Sequence, residues 1–237
     1  MLCLQASIGV LNDLVDVQHD RGHKPGKPLP RALVPVGIAR LIVVAGLAAG
    51  LALSLAGGLL TAGLALAGAG VGFAYDLRLK ASPWSWLPFA LGLPLLPVYA
   101  WVGATGGVPG PFLVLIPLAV VAGTGLALAN ELADAERDQA AGVRTAVGAL
   151  GHDRAWRVGL GLELIVAAVA GGSLVLYGAP VVAIGAADGS IALLMVGLAL
   201  SRSPRPLTRE RGWEGQCVAL GCLALAWLGG LAARGLL

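Results

Sequence analysis

The chain has 237 residues, of which 57% are hydrophobic and only 12% charged, and its formal net charge at pH 7 is +3. Soluble domains usually carry about 25% charged residues, so the composition excludes an ordinary soluble enzyme and indicates a polytopic membrane protein. The many glycine and alanine residues suit close packing of helices in lipid. We expect the lipid bilayer as a partner, no nucleic acid, and infer no obligate protein partner.

In chain order, the sequence predicts about eight apolar spans of the length that a bilayer requires, roughly 17–25 residues. They cover about 1–18, 34–56, 58–75, 84–103, 111–133, 155–176, 179–200 and 213–234. Glycine and proline mark tight turns between neighbouring spans at 57–58, 106–111 and 178–180. The predicted fold is therefore an all-α transmembrane bundle, forming one domain over 1–237.

The basic residues predict the orientation of these spans. Of the 16 Lys and Arg residues, all but Arg40 and Arg234 fall in the connections after spans one, three, five and seven. This group contains Arg21, Lys24, Lys27, Arg31, Arg78, Lys80, Arg137, Arg144, Arg154, Arg157, Arg202, Arg205, Arg209 and Arg211. By the positive-inside rule these connections are cytoplasmic, so we expect a multi-pass protein of the cell (plasma) membrane whose functional loops face the cytoplasm.

One pattern, Asn-acid-Leu-x-Asp-x-x-x-Asp, occurs twice, at the ends of spans one and five. Spacings of four place its Asn and Asp side chains on one stripe of a helix in each copy. Mg²⁺ prefers oxygen ligands and is typically held by a few carboxylates plus substrate phosphates. A solvated helix end explains one such copy, but two matched copies favour a metal site, and we expect the two stripes to face each other around it. The predicted metal ligands are Asn12, Asp16, Asp20, Asp134 and Asp138.

Basic residues near each motif are suited to gripping phosphate oxygens, and the best placed are Lys27, Arg137 and Arg144. Lys27 lies in a proline-rich segment, 24–30, that cannot continue a helix and is predicted to form a loop over the site. A corresponding turn is predicted at 142–145, after the second motif. Tyr75 and Lys80, at the end of span three, are predicted to line the phosphate site, although membrane anchoring and topology explain them equally well.

Two acidic residues, Asp188 and Glu163, lie well inside spans rather than near their ends. Asp188 is midway along span seven, and an intramembrane acid is a functional hypothesis by default. It is the one feature that favours an ion-coupled transporter, whose sites typically lie near the bilayer midplane on broken helices. The acids of both motifs lie instead at the ends of spans, which argues against that alternative. Glu163, in span six, is left without a role.

These motifs resemble the signatures of the UbiA superfamily of intramembrane prenyltransferases. The first motif, with its basic Pro-Leu-Pro stretch, is similar to the family's first signature, and Asp134-x-x-x-Asp138 with Gly142-x-Arg144-Thr145 after it is similar to the second. Tyr75 and Lys80 are similar to a Tyr-x-x-x-Lys motif, but Lys80 comes one place late. The first signature ends span two in the family and span one here, so we expect the family's first helix to be missing.

The resemblance implies an enzyme that uses Mg²⁺ to transfer an isoprenoid from its diphosphate to a lipophilic, often aromatic, acceptor through an allylic carbocation. It implies catalytic roles for Asp16, Asp134, Asp138 and Tyr75. Diphosphate binding is expected at Lys27, Lys80, Arg137 and Arg144. The acceptor stays open between a quinone precursor, a tetrapyrrole, a glycerol-phosphate lipid and another phenol. The alternatives to this enzyme are the transporter and a truncated, inactive member of the family.

Overall fold

A computed structural model describes residues 1–18, 20 and 26–237. All regular structure in these residues is helical, which confirms the predicted fold class. The helices are α1 (Leu2–Asp16), α2 (Val36–Ala56), α3 (Leu59–Ala74), α4 (Leu87–Thr105), α5 (Phe112–Ala140), α6 (Ala146–Leu150), α7 (His152–Leu176), α8 (Val181–Leu200) and α9 (Pro206–Ala232). A π-helical turn, Tyr75–Leu79, continues α3.

Seven helices in the described part of the chain are long and apolar enough to cross a membrane: α2, α3 with its π turn, α4, α5, α7, α8 and α9. They confirm seven of the eight predicted spans. The exception is α1, which has 15 residues and is shorter than a bilayer requires. Helix α5 continues beyond the predicted end at 133 to Ala140, so the whole second motif is helical. The short helix α6 was not predicted.

Many large apolar side chains on these helices are exposed. Leu59, Leu113 and Val181 have more than four fifths of their surface accessible. So many exposed large apolar side chains are unusual for a soluble protein, whereas contact with lipid hydrocarbon accounts for them. Helix α5 differs from the others because half of its most apolar window is buried, so its side chains mainly contact protein.

The chain divides into two compact units. Unit 1 comprises Met1–Lys80 and Leu95–Val108, and unit 2 comprises Ala81–Pro94 and Pro109–Leu237. The first motif therefore belongs to unit 1 and the second to unit 2. The single domain expected over 1–237 stays a prediction.

In unit 1, helix α1 packs closely against α2 and α3 through small side chains. Ser7 is fully buried and its hydroxyl donates to the carbonyl of Val43 at 2.7 Å. A Cβ on Gly50 would collide with the Leu4 side chain, which shows how closely α1 and α2 approach. Leu4 forms a small core with Ala65 and Ala69 of α3. This packing positions the end of α1, with the first motif, beside the end of α3.

In unit 2, helix α5 packs against α7 and α9, and α8 packs along α9. The α8–α9 crossing is closest at two glycines. A Cβ on Gly212 would lie 2.7 Å from the carbonyl oxygen of Gly197 and 2.8 Å from the backbone nitrogen of Ser201. The buried Gln216 also donates to the Ser201 hydroxyl at 2.8 Å across this crossing. Small residues thus allow close backbone contact, as is usual for helices in membranes.

We predict that Gly212→Ala lowers the melting temperature of the detergent-solubilised protein. The added methyl has no room, and overpacking of this kind typically costs about 1–3 kcal/mol. Gly221→Ala is the matched control, because Gly221 lies in the same helix and a methyl group added there would have no neighbouring atom within 4 Å. The expectation is wrong if both variants melt at the wild-type temperature.

Candidate functional site

Two side-chain bonds join the first motif to the π turn in unit 1. The Asn12 amide nitrogen Nδ2 donates to Asp76 Oδ1 at 2.8 Å. One helical turn further on, Lys80 Nζ donates to Asp16 Oδ2. The partners in each segment are four residues apart, so they lie on facing stripes of α1 and the π turn. The motif is therefore bonded to the same segment that carries Tyr75 and Lys80.

The π turn accounts for the late position of Lys80. The Lys80 amide donates to the Tyr75 carbonyl at 2.9 Å, a bond to the fifth residue back rather than the fourth. A π turn accommodates one residue more than an α turn, and such turns are frequent at functional sites. The extra residue is therefore absorbed by the turn, and Lys80 still reaches Asp16. Tyr75, half-buried, begins the turn.

Lys27 bonds to two further acids of the first motif. Its Nζ lies 2.6 Å from Asp13 Oδ1 and 2.7 Å from Asp20 Oδ2, and Asp20 is fully buried. Burial lowers the pKa of Lys27, but the hydrogen bonds and charges of Asp13 and Asp20 outweigh this, so its pKa is raised above the ordinary value. Lys27 is therefore a cation throughout the physiological range. Of the loop predicted over 24–30, residues 24 and 25 lie outside the described residues, as does Arg21.

The cluster is rich in carboxylates. Among the described residues, the carboxylates of Asp13, Asp16, Asp20 and Asp76 lie together with the ammonium groups of Lys27 and Lys80. Asp76 is 4% exposed, and its Oδ2 has no hydrogen-bond partner among the described residues. As positioned, no three His, Cys, Asp or Glu side chains of the described part converge on one point. The donor chemistry nevertheless fits a hard divalent cation, because the candidate ligands are carboxylate and amide oxygens.

The second motif, in unit 2, is held by arginines. Asp134, about one third exposed, pairs with Arg137 one turn further along α5. Glu136 pairs with Arg209 of α9, which is 1% exposed. Arg209 also donates from Nε to the Leu132 carbonyl at 2.6 Å and from Nη1 to the Ser203 carbonyl at 3.0 Å. Arg209 thus fixes the end of α5 that carries the second motif. In the sequence it looks like the other basic residues of the connections, which indicate only the orientation of the spans.

Glu131, the second residue of the later motif, is a structural acid. It is buried and accepts hydrogen bonds from the Ser85 hydroxyl and, at 2.9 Å, from the Val147 amide. These bonds attach α5 to the beginning of α6, where a negative charge interacts favourably with the helix dipole. The corresponding Asp13 of the first motif pairs with Lys27 instead. The two copies therefore match in sequence but not in the function of this position.

The predicted turn after the second motif is confirmed. Gly142 has φ +66° and follows the end of α5, with Val143 N bonded to Asp138 O at 2.9 Å and Gly142 N to Gln139 O at 3.1 Å. This is a Schellman motif, which favours glycine at the left-handed position. Thr145 then caps α6 by accepting from Gly148 N at 3.1 Å. The turn brings Arg144 back toward the motif.

Asp138 and Arg144 line one open cavity of about 710 Å³ in unit 2. The volume is within the range of small-molecule sites, roughly 300–1,000 Å³. Its other polar lining side chains are Glu136, Gln139, Thr145 and His152. Of the residues predicted from the second motif, the structure thus brings Asp138 and Arg144 together, whereas Asp134 and Arg137 form a separate pair.

The model of the UbiA prenyltransferase family matches residues 1–214. The chain belongs to this family. The match confirms the resemblance inferred from the motifs. A search of curated protein sequences finds no match.

Solved structures of UbiA proteins are similar to this chain. A digeranylgeranylglyceryl phosphate synthase is 20% identical with TM-score 0.70, the match covering 96% of this chain and 81% of that one. A UbiA homologue from Archaeoglobus fulgidus bound to GPP and Mg²⁺ is 21% identical with TM-score 0.70, covering 95% and 84%. The apo homologue from Aeropyrum pernix K1 is 18% identical with TM-score 0.67, covering 95% and 85%. At these identities the likeness concerns the fold.

We predict that Arg209→Met destabilises the protein, whereas Arg211→Met does not. Arg209 makes three buried or half-buried hydrogen bonds, and those to charged groups contribute about 1.5–3 kcal/mol each. Arg211 lies in the same helix but is 77% exposed and pairs only with Glu214 among the described residues. Thermal unfolding measured side by side checks this. Equal melting temperatures of the two variants would contradict the role given to Arg209.

Proposed function

We propose that the protein is a Mg²⁺-dependent intramembrane prenyltransferase, which transfers an isoprenoid from its diphosphate to a lipophilic acceptor. The observation that carries this proposal is the carboxylate cluster of unit 1, which is bonded to Lys27 and, at the π turn, to Lys80. Family membership supports it, as does the homologue from Archaeoglobus fulgidus with bound GPP and Mg²⁺. The cluster combines the two kinds of group that a metal diphosphate requires, namely oxygen ligands and cations.

The proposed metal ligands are the predicted ones: Asn12, Asp16 and Asp20 of the first motif and Asp134 and Asp138 of the second. We propose that both motifs serve the same diphosphate, since each offers the same oxygen donors at the same spacing. When bound, Mg²⁺ would supply charge stabilisation for the departing diphosphate.

The cationic side chains are proposed to bind phosphate oxygens. Lys27, Lys80 and Arg137 are paired with carboxylates of the motifs, and Arg144 lines the cavity with Asp138. Exchanging a carboxylate for a phosphate oxygen keeps a charge-assisted hydrogen bond, so the exchange conserves most of the interaction. The ion pairs thus keep the cations beside the acids, and both would bind the same substrate. Tyr75 is proposed to line the same site at the beginning of the π turn.

The surrounding helices are proposed to protect the carbocation. Their apolar side chains exclude water, which would otherwise hydrolyse an allylic cation before the acceptor reacted. The prenyl chain would lie among these side chains, and the charged diphosphate would lie at the ends of α1, α3 and α5. The basic residues at these ends support a cytoplasmic position for the site by the positive-inside rule.

A transporter is not favoured by the structure of α8. Asp188 lies on an exposed face of this helix, which runs unbroken from Val181 to Leu200. Transporter sites are typically built on discontinuous helices with polar backbone turned toward the ion. A continuous helix with one exposed acid lacks that arrangement.

The direct test uses purified protein in nanodiscs with Mg²⁺, labelled prenyl diphosphates of several lengths, and a panel of phenolic, tetrapyrrole and glycerol-phosphate acceptors. We predict prenyl transfer or diphosphate release that falls by at least ~100-fold in both Asp16→Ala and Asp134→Ala, the loss typical for a group that stabilises transition-state charge. Asp153→Ala, at an exposed site in the first turn of α7, is the control and should keep wild-type turnover. Turnover that survives both motif substitutions would refute the assignment.

A further inference from the structure

Asp76 belongs to neither acidic motif, yet it lies within the carboxylate cluster of unit 1. It continues the buried stripe of α3 formed by Thr61, Ala65 and Ala69, seven residues beyond Ala69 and four before Lys80. Its side chain is 4% exposed, so it is turned away from solvent and lipid. The π turn thus directs an acid, as well as Lys80, toward the first motif.

The two carboxylate oxygens of Asp76 have different surroundings. Oδ1 accepts from Asn12 Nδ2 at 2.8 Å, whereas Oδ2 is buried without a hydrogen-bond partner among the described residues. A buried polar atom left unsatisfied is costly, and an ionised one more so, which is why such groups are paired or coordinate a metal. Oδ2 is therefore the atom of this cluster with the strongest physical need for a cation.

The hydrogen bond also determines what Asn12 offers. Because its Nδ2 is directed at Asp76, its carbonyl oxygen Oδ1 is the end of the amide left to act as a ligand. Lys80 attracts the charge of Asp76, whereas Asp16 and Asp13 repel it. A divalent cation beside Asp76 would relieve this repulsion and satisfy Oδ2 at once.

We propose that Asp76 Oδ2 is an additional ligand of a divalent cation in unit 1, beside Asn12 and Asp16. This inference rests on the proposed function and extends its metal site to the π turn. If Asp76 served only to orient Asn12, removing its charge while keeping an acceptor oxygen would leave cation binding unchanged.

The experiment titrates Mn²⁺ into the purified protein without diphosphate and measures binding by electron paramagnetic resonance. Asp76→Asn keeps an oxygen that can accept from Asn12 but removes the charge. We expect it to weaken Mn²⁺ binding by at least ~10-fold, since even outer partners of metal ligands contribute 10–100-fold. Asp153→Asn, which removes one exposed acid elsewhere, should bind Mn²⁺ as the wild type does. Wild-type affinity in Asp76→Asn would overturn the proposal.

Melting temperatures in EDTA separate a ligand from a purely structural acid. The proposal expects Asp76→Asn to melt at or above the wild-type temperature in EDTA and to lose the stabilisation that added Mn²⁺ gives the wild type. A lower melting temperature in EDTA with an unchanged stabilisation by Mn²⁺ would assign Asp76 a structural role and overturn the proposal. Should Asp76→Asn not fold, Asp76→Ser, which is smaller and neutral, takes its place in both measurements.

The wild type distinguishes this inference from the proposed function. If wild-type protein binds no Mn²⁺ either alone or with inorganic diphosphate, the proposed function fails and this inference with it. If the wild type binds Mn²⁺ and Asp76→Asn binds it equally well, only the role of Asp76 is refuted.

Discussion

Charge compensation between α1 and the π turn is the interaction on which the site in unit 1 depends. Asp16 pairs with Lys80 and Asn12 with Asp76, so two neighbouring bonds join segments that are 64 residues apart in sequence. Buried charges are tolerated only when they are paired and hydrogen-bonded. The same need for pairing keeps the lysines beside the carboxylates, and it brings oxygen ligands and ammonium groups together at one end of the unit.

The two motifs satisfy their charges in different ways. The first uses lysines, whose compact ammonium groups change partners easily, and the second uses arginines, of which Arg209 is buried and makes three hydrogen bonds. Glu131 is occupied by the beginning of α6, so fewer acids of the second motif remain available for a ligand. The first motif is therefore paired with lysines, and the second is held by a buried arginine.

The spans could be predicted from sequence because each is a long apolar run, and the bilayer sets its length. The motifs were recognised because their residues recur every four positions on a helix. The π turn could not be predicted, because hydropathy does not detect one additional residue at a helix end. The one sign of it in the sequence is that Lys80 comes one place late. The sequence does not distinguish Arg209 from the other basic residues of the connections, because its burial depends on the packing of α9 against α5, which no local pattern encodes. The structural role of Glu131 could not be predicted for a related reason, because its partners Ser85 and Val147 come from other segments of the chain.

The central claim is that the acids of both motifs serve one magnesium-bound diphosphate, and a double-mutant cycle tests it most directly. Calorimetry would give the affinity for inorganic diphosphate with Mg²⁺ for the wild type, Asp16→Asn, Asp134→Asn and the double variant. Residues that share one ligand are coupled, so the account predicts that the double variant departs from the sum of the single losses by at least about 0.5 kcal/mol. Strictly additive losses, or an affinity indifferent to one of the two substitutions, would contradict it.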